Sequence, residues 1–548
     1  MQQSDICVAQ VDVLVLGGGL AGYRAAHAAA RDGARVAIVH QARGASTHII
    51  GFNVPDTSAG SSDSLAQYEQ DMVDGGYGLN DRRLVRALAG NAEAALTQLL
   101  DCGVPIARDA AGAIARRHLS GNTYARSVFH PEGIGRLALQ TLAAQAPAAD
   151  IQVYSGWKAV DLLRHDGTVG GALIGRRDGS DWLAVQAGAT ILATGGIGAI
   201  YDDSTYPADI TADSYHFALQ CGASLIDMEF VQFEPTVIVV PDGCRGMEMP
   251  TAMFADGATL INAPGERFMQ RYNPGHAELQ IEKAKISLAI QQEIDEGRGH
   301  DGAVRFDLSQ VPAARIESYV SHCKRLRSAG VEPGQGAIWV RPAAHSQMGG
   351  IQIDASCWTG VPGLYAAGEA SGGLHGASRI AGNGASDAIV FGGLAGAAAA
   401  RAARQARRID TDHAIGHAVK RLQRVAQRDS GPEPDAVKAA VRQIMLEGVG
   451  VVRHAGGLAR AIGRLEQWQE RAAGGMALQR HADRVKALEA LSFIAVAQAI
   501  ARSAHDRQES RGAHRRQDFP APDPAWLCHV AVTMNAAQGL VVGRAPIQ

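Results

Sequence analysis

Three glycine-rich turns hold the residues of this sequence whose types and spacing point to chemistry. The first is Gly17-Gly18-Gly19-Leu20-Ala21-Gly22, a GxGxxG that follows an apolar run and opens an Ala-rich stretch. There Gly17 permits a tight turn, Gly19 lets the backbone approach a pyrophosphate, and Gly22 lets helix and strand pack closely. The helix start turns its partial positive charge toward the phosphates. A lone GxGxxG means little in a chain with 64 glycines; the strand–turn–helix setting gives it weight. The second strand ends in His40, not in the acid that usually holds a ribose hydroxyl, which weakens a nicotinamide reading. Either imidazole nitrogen could contact the ribose, or His40 is a surface residue at a strand end. Two more turns follow apolar runs, Ala193-Thr194-Gly195-Gly196 and Gly363-Leu364-Tyr365-Ala366-Ala367-Gly368-Glu369. A single nucleotide needs one such turn. Three imply a long cofactor touched by returning segments of one domain, and FAD meets that requirement.

The elements that position these turns follow from the pattern. Val11–Leu16 is β-branched and apolar apart from Asp12, as expected of a strand buried on both faces. Tyr23–Ala30 predicts a helix and Arg35–Val39 a second strand, a βαβ unit in about thirty residues. Helices are expected over 64–100, 135–148, Ala212–Ala223 and Ser386–Ala406, paired strands over Gly167–Arg176 and Asp181–Leu192, and extended chain over Glu229–Val240. Residues 245–335 are more charged and carry an amphipathic helix near Ala277–Glu296, which marks an insertion. From about 410 to 510 the pattern is that of a helical bundle with polar faces, followed by a loop-like tail.

The bulk numbers set the limits. A chain of 548 residues allows two to four domains, and 46% apolar with 20% charged residues suits a large buried core. A net charge of −3 and a pI near 6.7 give no electrostatic case for nucleic acid or a membrane surface. The seven cysteines lie far apart with no CxxC, so no zinc site, iron–sulfur cluster, c-type haem or disulfide framework is expected from this chain alone, and no metal. The N-terminal stretch lacks a basic head and a cleavage site, and VDVLVLGGGLAG is too short and glycine-broken to span a bilayer. A cytoplasmic, non-integral protein is the expectation.

Further along, the motifs LATGGIGAIYDDSTYP with TADS, DMEFVQFEPT, GCRG, ATLINAPGERFMQRY, RPAAHSQMGGI, GLYAAGEASGGLHGASRIAGNG and ESRGAHRRQDFPAPDPAW occur in this order. On them the chain resembles the succinate dehydrogenase and fumarate reductase flavoprotein family, which includes L-aspartate oxidase. The resemblance implies an α/β fold: a Rossmann-like FAD-binding domain (1–240 and 336–408), an inserted α+β capping domain (241–335) and a C-terminal helical domain (409–548). It places Gly17, Gly19 and Gly22 on the pyrophosphate and Ser46 and Thr47 near the phosphates. Thr194, Gly195 and Asp213 are expected along the cofactor, Glu369 on the ribityl or ribose, and Asn383 near the isoalloxazine. Some members bind FAD covalently through a histidine between Ser and Thr; here the order is Ser46-Thr47-His48, so FAD is expected to be non-covalent.

The family's substrate pattern survives only in part. His345 stands in the H-x-x-MGG motif, and Arg379, in HGASRI, suits bidentate carboxylate binding. The family's QFHPT reads Gln232-Phe233-Glu234-Pro235-Thr236, its Thr-Glu pair before GCRG reads Pro241-Asp242, and its catalytic arginine falls on Lys283. The insertion MEMPTAMFAD after GCRG is also unusual. Glu234 with Asp242 would repel a second substrate carboxylate. The expected substrate therefore has one carboxylate, with room for an amine or other donor facing Glu234. Arg379 and His345 would bind it, and Lys283 or Glu234 would exchange the proton. The competing readings are an L-aspartate-oxidase-like amine oxidation, a flavoprotein passing electrons to a separate iron–sulfur partner, and a catalytically silent FAD scaffold. Oxygen, a dye-like acceptor and such a partner all stay open as the electron acceptor.

Overall fold

Apolar runs from the start of the chain form the centre of a seven-stranded sheet. The computed structural model describes residues 6–406, 409–425, 431–535 and 538–548; the first five residues and the expected domain boundary at 408 lie outside them. Cys7–Leu16 runs parallel to Val36–His40 on one side and Trp182–Leu192 on the other, and Ile151–Ser155 extends the parallel edge. Val13, Leu14 and Val15 are completely buried, which is why this run lacks polar alternation. Trp182–Leu192 changes partner along its length. Its first half pairs antiparallel with Thr168–Arg176, and residues 190–192 pair parallel with Leu364–Ala366.

The carboxyl ends of five parallel strands thus open on one edge, and main-chain bonds lace the turns that follow. Gly17 N–H donates to Val39 O at 2.9 Å, Ala193 N–H to Leu16 O at 2.8 Å, and Ala367 N–H to Leu192 O at 3.0 Å. The helix Leu20–Arg31 packs on Asn383–Ala403. A Cβ on Gly396 would stand 2.1 Å from the Ala25 carbonyl oxygen, so only small residues let the late helix close on the early one. The last glycine-rich segment is thereby brought back beside the first.

The cap has its own core, including Ile238, Phe254, Leu260, Phe306 and Val340. Its four-stranded sheet runs Val231–Val240, Ile338–Gln347, Val304–Asp307, Thr259–Ile261, all antiparallel. The cap sheet is therefore wider than the expected 241–335. The strands that lead the chain into and out of the insertion pair with each other, whereas the sequence marks only where charge rises. The expected helix Ala277–Glu296 begins only at Lys283 and ends at Asp295, because Ala277 and Gln280 have φ of 50° and 52°, which a right-handed helix excludes.

Four helices follow: Thr411–Val425, Pro434–Gly448, Ala455–Ala473 and Asp483–Asp506. The last is long and apolar enough to cross a membrane, but 72% of its apolar window is buried within the fold, as befits a core helix. Lys158 ties this bundle to the first domain, meeting Asp213 at 2.8 Å and Glu489 at 2.6 Å. The C-terminal region is not helical throughout. The hairpin His529–Asn535 and Gly539–Ala545 joins Leu225–Ile226, Gly350–Gln352 and Ser371–Gly372 in a five-stranded sheet, returning the chain to the nucleotide-binding domain.

Candidate active site

At Gly17, Gly18 and Gly22 the first turn has no room for a side chain. Gly17 has φ of +128°, and a Cβ there would lie 2.1 Å from the Ala193 carbonyl oxygen; one on Gly22 would lie 1.9 Å from the Gly17 carbonyl oxygen. Gly19 precedes the helix Leu20–Arg31. Ser46 Oγ accepts the Leu20 N–H at 2.9 Å, and Thr47 follows in the short helical turn Gly44–His48. His40 is not the surface residue that its strand-end position allowed. It is buried against the backbone of Gly18, with Nε2 3.3 Å from the Tyr23 hydroxyl and Nδ1 without a partner. Burial, with help from Arg43, pushes its ring below the usual histidine range, so the imidazole is neutral.

The second and third turns complete this edge. Thr194 Oγ1 meets Ser214 Oγ at 2.6 Å, and Gly195 has φ of +83°. Glu369 Oε1 accepts the Gln347 N–H at 2.9 Å and the Tyr206 hydroxyl, and burial pushes its carboxyl up. Asn383 opens its helix, and its Oδ1 accepts from Asn53 Nδ2 and the Tyr68 hydroxyl, both at 2.8 Å. That side chain fixes the helix start. Asp213 departs from expectation. Its carboxylate takes Lys158 Nζ at 2.8 Å and the Thr211 hydroxyl at 2.6 Å, so it braces the joint between domains and does not lie free along a ligand. The cradle fits FAD on two counts: a glycine turn that a single Cβ would fill, and an orphaned imidazole nitrogen at the end of the neighbouring strand.

Across from this edge, the cap brings together the residues expected to meet substrate. Lys283, the first residue of its helix, donates to Glu234 Oε1 at 2.7 Å, with Lys283 47% and Glu234 5% exposed at the side chain. The two candidate proton carriers therefore hold each other. His345 Nδ1 is 2.9 Å from Thr205 Oγ1, which leaves Nε2 as the ring's other polar atom. Burial lowers His345 to about 4, against the pull of Glu234 and with the push of Arg379 and Lys283; the ring is neutral at physiological pH. Arg379 reaches Gln232 Oε1 only at 3.4 Å, and its buried Nε has no partner. Its guanidinium is thus open to a planar anion.

One expected member is absent from this group and another was missed. Asp242 sits at the tip of a surface turn, 89% exposed and 3.5 Å from Arg245; it does not join Glu234. The second carboxylate is Glu248. After the turn at 241–245 the chain runs back along its own strand, bridging Val237 to Glu248 and bonding Met249 N–H to Thr236 O at 2.7 Å. Polar atoms of Glu234, Glu248 and His345 then lie within 4.8 Å of one another. Burial, and next the charge of Glu234, push the Glu248 carboxyl above its ordinary range. The unusual insertion MEMPTAMFAD was the signal that could have found it. Thr205 and Gln232, which orient His345 and Arg379, stand inside motifs already singled out, DDSTYP and QFEPT, but their partners are set by long-range packing.

This geometry has counterparts. Residues 12–385 match the family described as FAD binding domain, and residues 438–547 that described as fumarate reductase flavoprotein C-term. A fumarate reductase (CoM/CoB) subunit from Methanothermobacter marburgensis is 33% identical over 531 residues, spanning 94% of this chain and 96% of that protein. The L-aspartate oxidase of Streptomyces coelicolor is 31% identical over 561 residues, spanning 97% and 93%. Mycobacterium smegmatis Sdh1 in complex with UQ1 superimposes with a TM-score of 0.91 at 29% identity, over 99% of this chain and 95% of that one. Quinol-fumarate reductase with menaquinol molecules gives 0.90 at 29% identity, over 100% and 99%. The likeness runs through core, cap and C-terminal region alike, and the chain belongs to the FAD-dependent oxidoreductase family of fumarate reductase and succinate dehydrogenase flavoproteins.

Proposed function

We propose that the protein exchanges a hydride with a small substrate held through a single carboxylate. Bound FAD would supply the hydride acceptor or donor; Gly17, Gly19, Ser46 and His40 are the residues placed to hold it. The observation that carries the reading is the charge of the cap side, where Glu234 and Glu248 face Arg379 and Lys283. Arg379 offers its guanidinium, with the unpaired Nε–H, to one carboxylate. His345, neutral and oriented by Thr205, adds a contact without adding charge. A second carboxylate on the substrate would meet Glu234 or Glu248, which repel it. In the Lys283–Glu234 pair, with Glu234 buried and Lys283 half-exposed, the ammonium would donate a proton to a substrate carbon and the carboxylate would keep it aimed.

The test is anaerobic reoxidation of the photoreduced, FAD-loaded protein by unsaturated acids. Acrylate or crotonate should restore the yellow colour, and Arg379→Ala should slow them by on the order of 10²-fold or more. Reoxidation by fumarate alone would overturn the single-carboxylate reading. A second reading concerns the acceptor. Relatives named as subunits, such as the Methanothermobacter protein, favour a flavoprotein that hands electrons to a separate iron–sulfur protein. Turnover with a dye but not with oxygen supports that partner; turnover with oxygen alone points to an oxidase like the Streptomyces relative.

A further inference from the structure

The cap side of the site contains a carboxylate that no side chain among the described residues pairs with directly. Glu234 is paired with Lys283 at 2.7 Å, and His345 is held by Thr205 at 2.9 Å. Glu248 shares their space, its carboxyl oxygen within 4.8 Å of both, yet Val237 and His322 engage only its backbone. Building on the single-carboxylate reading, we propose that Glu248 sets substrate specificity by receiving a primary ammonium at the end of the substrate opposite the carboxylate bound by Arg379. The substrate class is then a small amino acid whose amine and carboxylate are separated by a short carbon chain.

Charge balance supports this choice. The ionisable groups that face Glu248 are Glu234, Lys283 and Arg379, with neutral His345 beside them. His322, at its backbone, is held below the usual histidine range by burial and adds no charge. With Glu248 ionised, two anions and two cations cancel. A plain monocarboxylate leaves the filled site with an excess anion and a diacid with two, whereas a zwitterionic amino acid keeps it neutral. The raised position of the Glu248 carboxyl has a further consequence: an arriving ammonium favours its ionised form and displaces its proton. Affinity for an amino acid should then rise with pH until Glu248 has ionised, and affinity for a plain acid should not follow that rise. A divalent cation could use the same three side chains, but Lys283 already occupies Glu234 and Arg379 adds a like charge nearby.

The experiment is flavin difference spectroscopy on the metal-free, FAD-loaded protein. The probes are glycine, β-alanine and γ-aminobutyrate, each against the plain acid of the same chain length, with succinate and zinc ion as separate arms. At least one amino acid should bind about tenfold more tightly than its plain counterpart, the effect of one charge-assisted hydrogen bond. Glu248→Gln, nearly isosteric, should abolish that advantage. Glu248→Asp, with its shorter reach, should move the preference toward the longer amine. The proposal is overturned if the amine brings no advantage, if the advantage persists in Glu248→Gln, if chain-length preference is unchanged in Glu248→Asp, or if zinc alone perturbs the flavin through Glu248. If plain acids bind through Arg379 and amines add nothing, only this inference fails. If no acid binds, the single-carboxylate reading fails with it.

Discussion

Replacing Gly17 by alanine tests the cofactor cradle at its tightest point. The added Cβ would lie 2.1 Å from the Ala193 oxygen and 2.4 Å from its carbon. Both are backbone atoms, so no side-chain rotation relieves the clash. Reaching an ordinary 3.4 Å contact requires the two turns to part by about 1 Å, which strains the Ala193 N–H bond to Leu16 O. The costs are roughly 1–2 kcal/mol for a side chain at positive φ, 1–3 kcal/mol for overpacking and about 1 kcal/mol for the weakened bond. Together they amount to about 3–6 kcal/mol. If the turns part when FAD is released, this is about 10²- to 10⁴-fold in affinity. Gly33 supplies the control, with φ of +81° and no atom within 4 Å of the point where a Cβ would stand. The assay is visible flavin absorbance per protein, together with FAD titration of the stripped protein. Gly33→Ala should bind FAD normally. If Gly17→Ala does too, the phosphates are not gripped at this turn.

Three other outcomes follow from the same structure. Lys158→Met strands Asp213 in a buried setting beside Glu489 and should cost about 3–5 kcal/mol, lowering Tm while the refolded protein keeps its flavin; loss of flavin in Asp213→Asn at unchanged Tm would show that Asp213 serves the cofactor directly. His529 is lowered by burial but raised more by Asp227, 2.6 Å away, for a net rise above 6.5. A raised folded value means its stabilisation is complete below about pH 6.5 and is lost as pH climbs through the folded value. The Tm gap between the native protein and His529→Gln should accordingly narrow from about pH 6 to pH 9, and a widening gap would contradict the pairing. Acid precipitation should leave the flavin in the supernatant, since Thr47 holds the place that a covalent link would need; a yellow pellet would show attachment.

The glycine turns, the first βαβ unit and the FAD requirement were legible in the residues themselves, because close backbone approach leaves a local signature. Gly17, Gly19 and Gly22 need no distant partner to be recognised. The motifs also fixed the order of core, cap and C-terminal region, and they singled out Arg379, His345 and Glu234, which the fold brings near one another. Tertiary structure decided which carboxylate joins Glu234. A surface turn exposes Asp242, and a chain reversal sets Glu248 beside His345; spacing along the sequence cannot distinguish a turn tip from its return arm. It also turned Asp213 toward Lys158 and buried His40 beneath Gly18. The cap grew to include Val231–Val240 and Ile338–Gln347 because strands distant in the chain pair with each other. Local pattern specifies what a residue can do, and long-range packing selects the neighbours with which it does it.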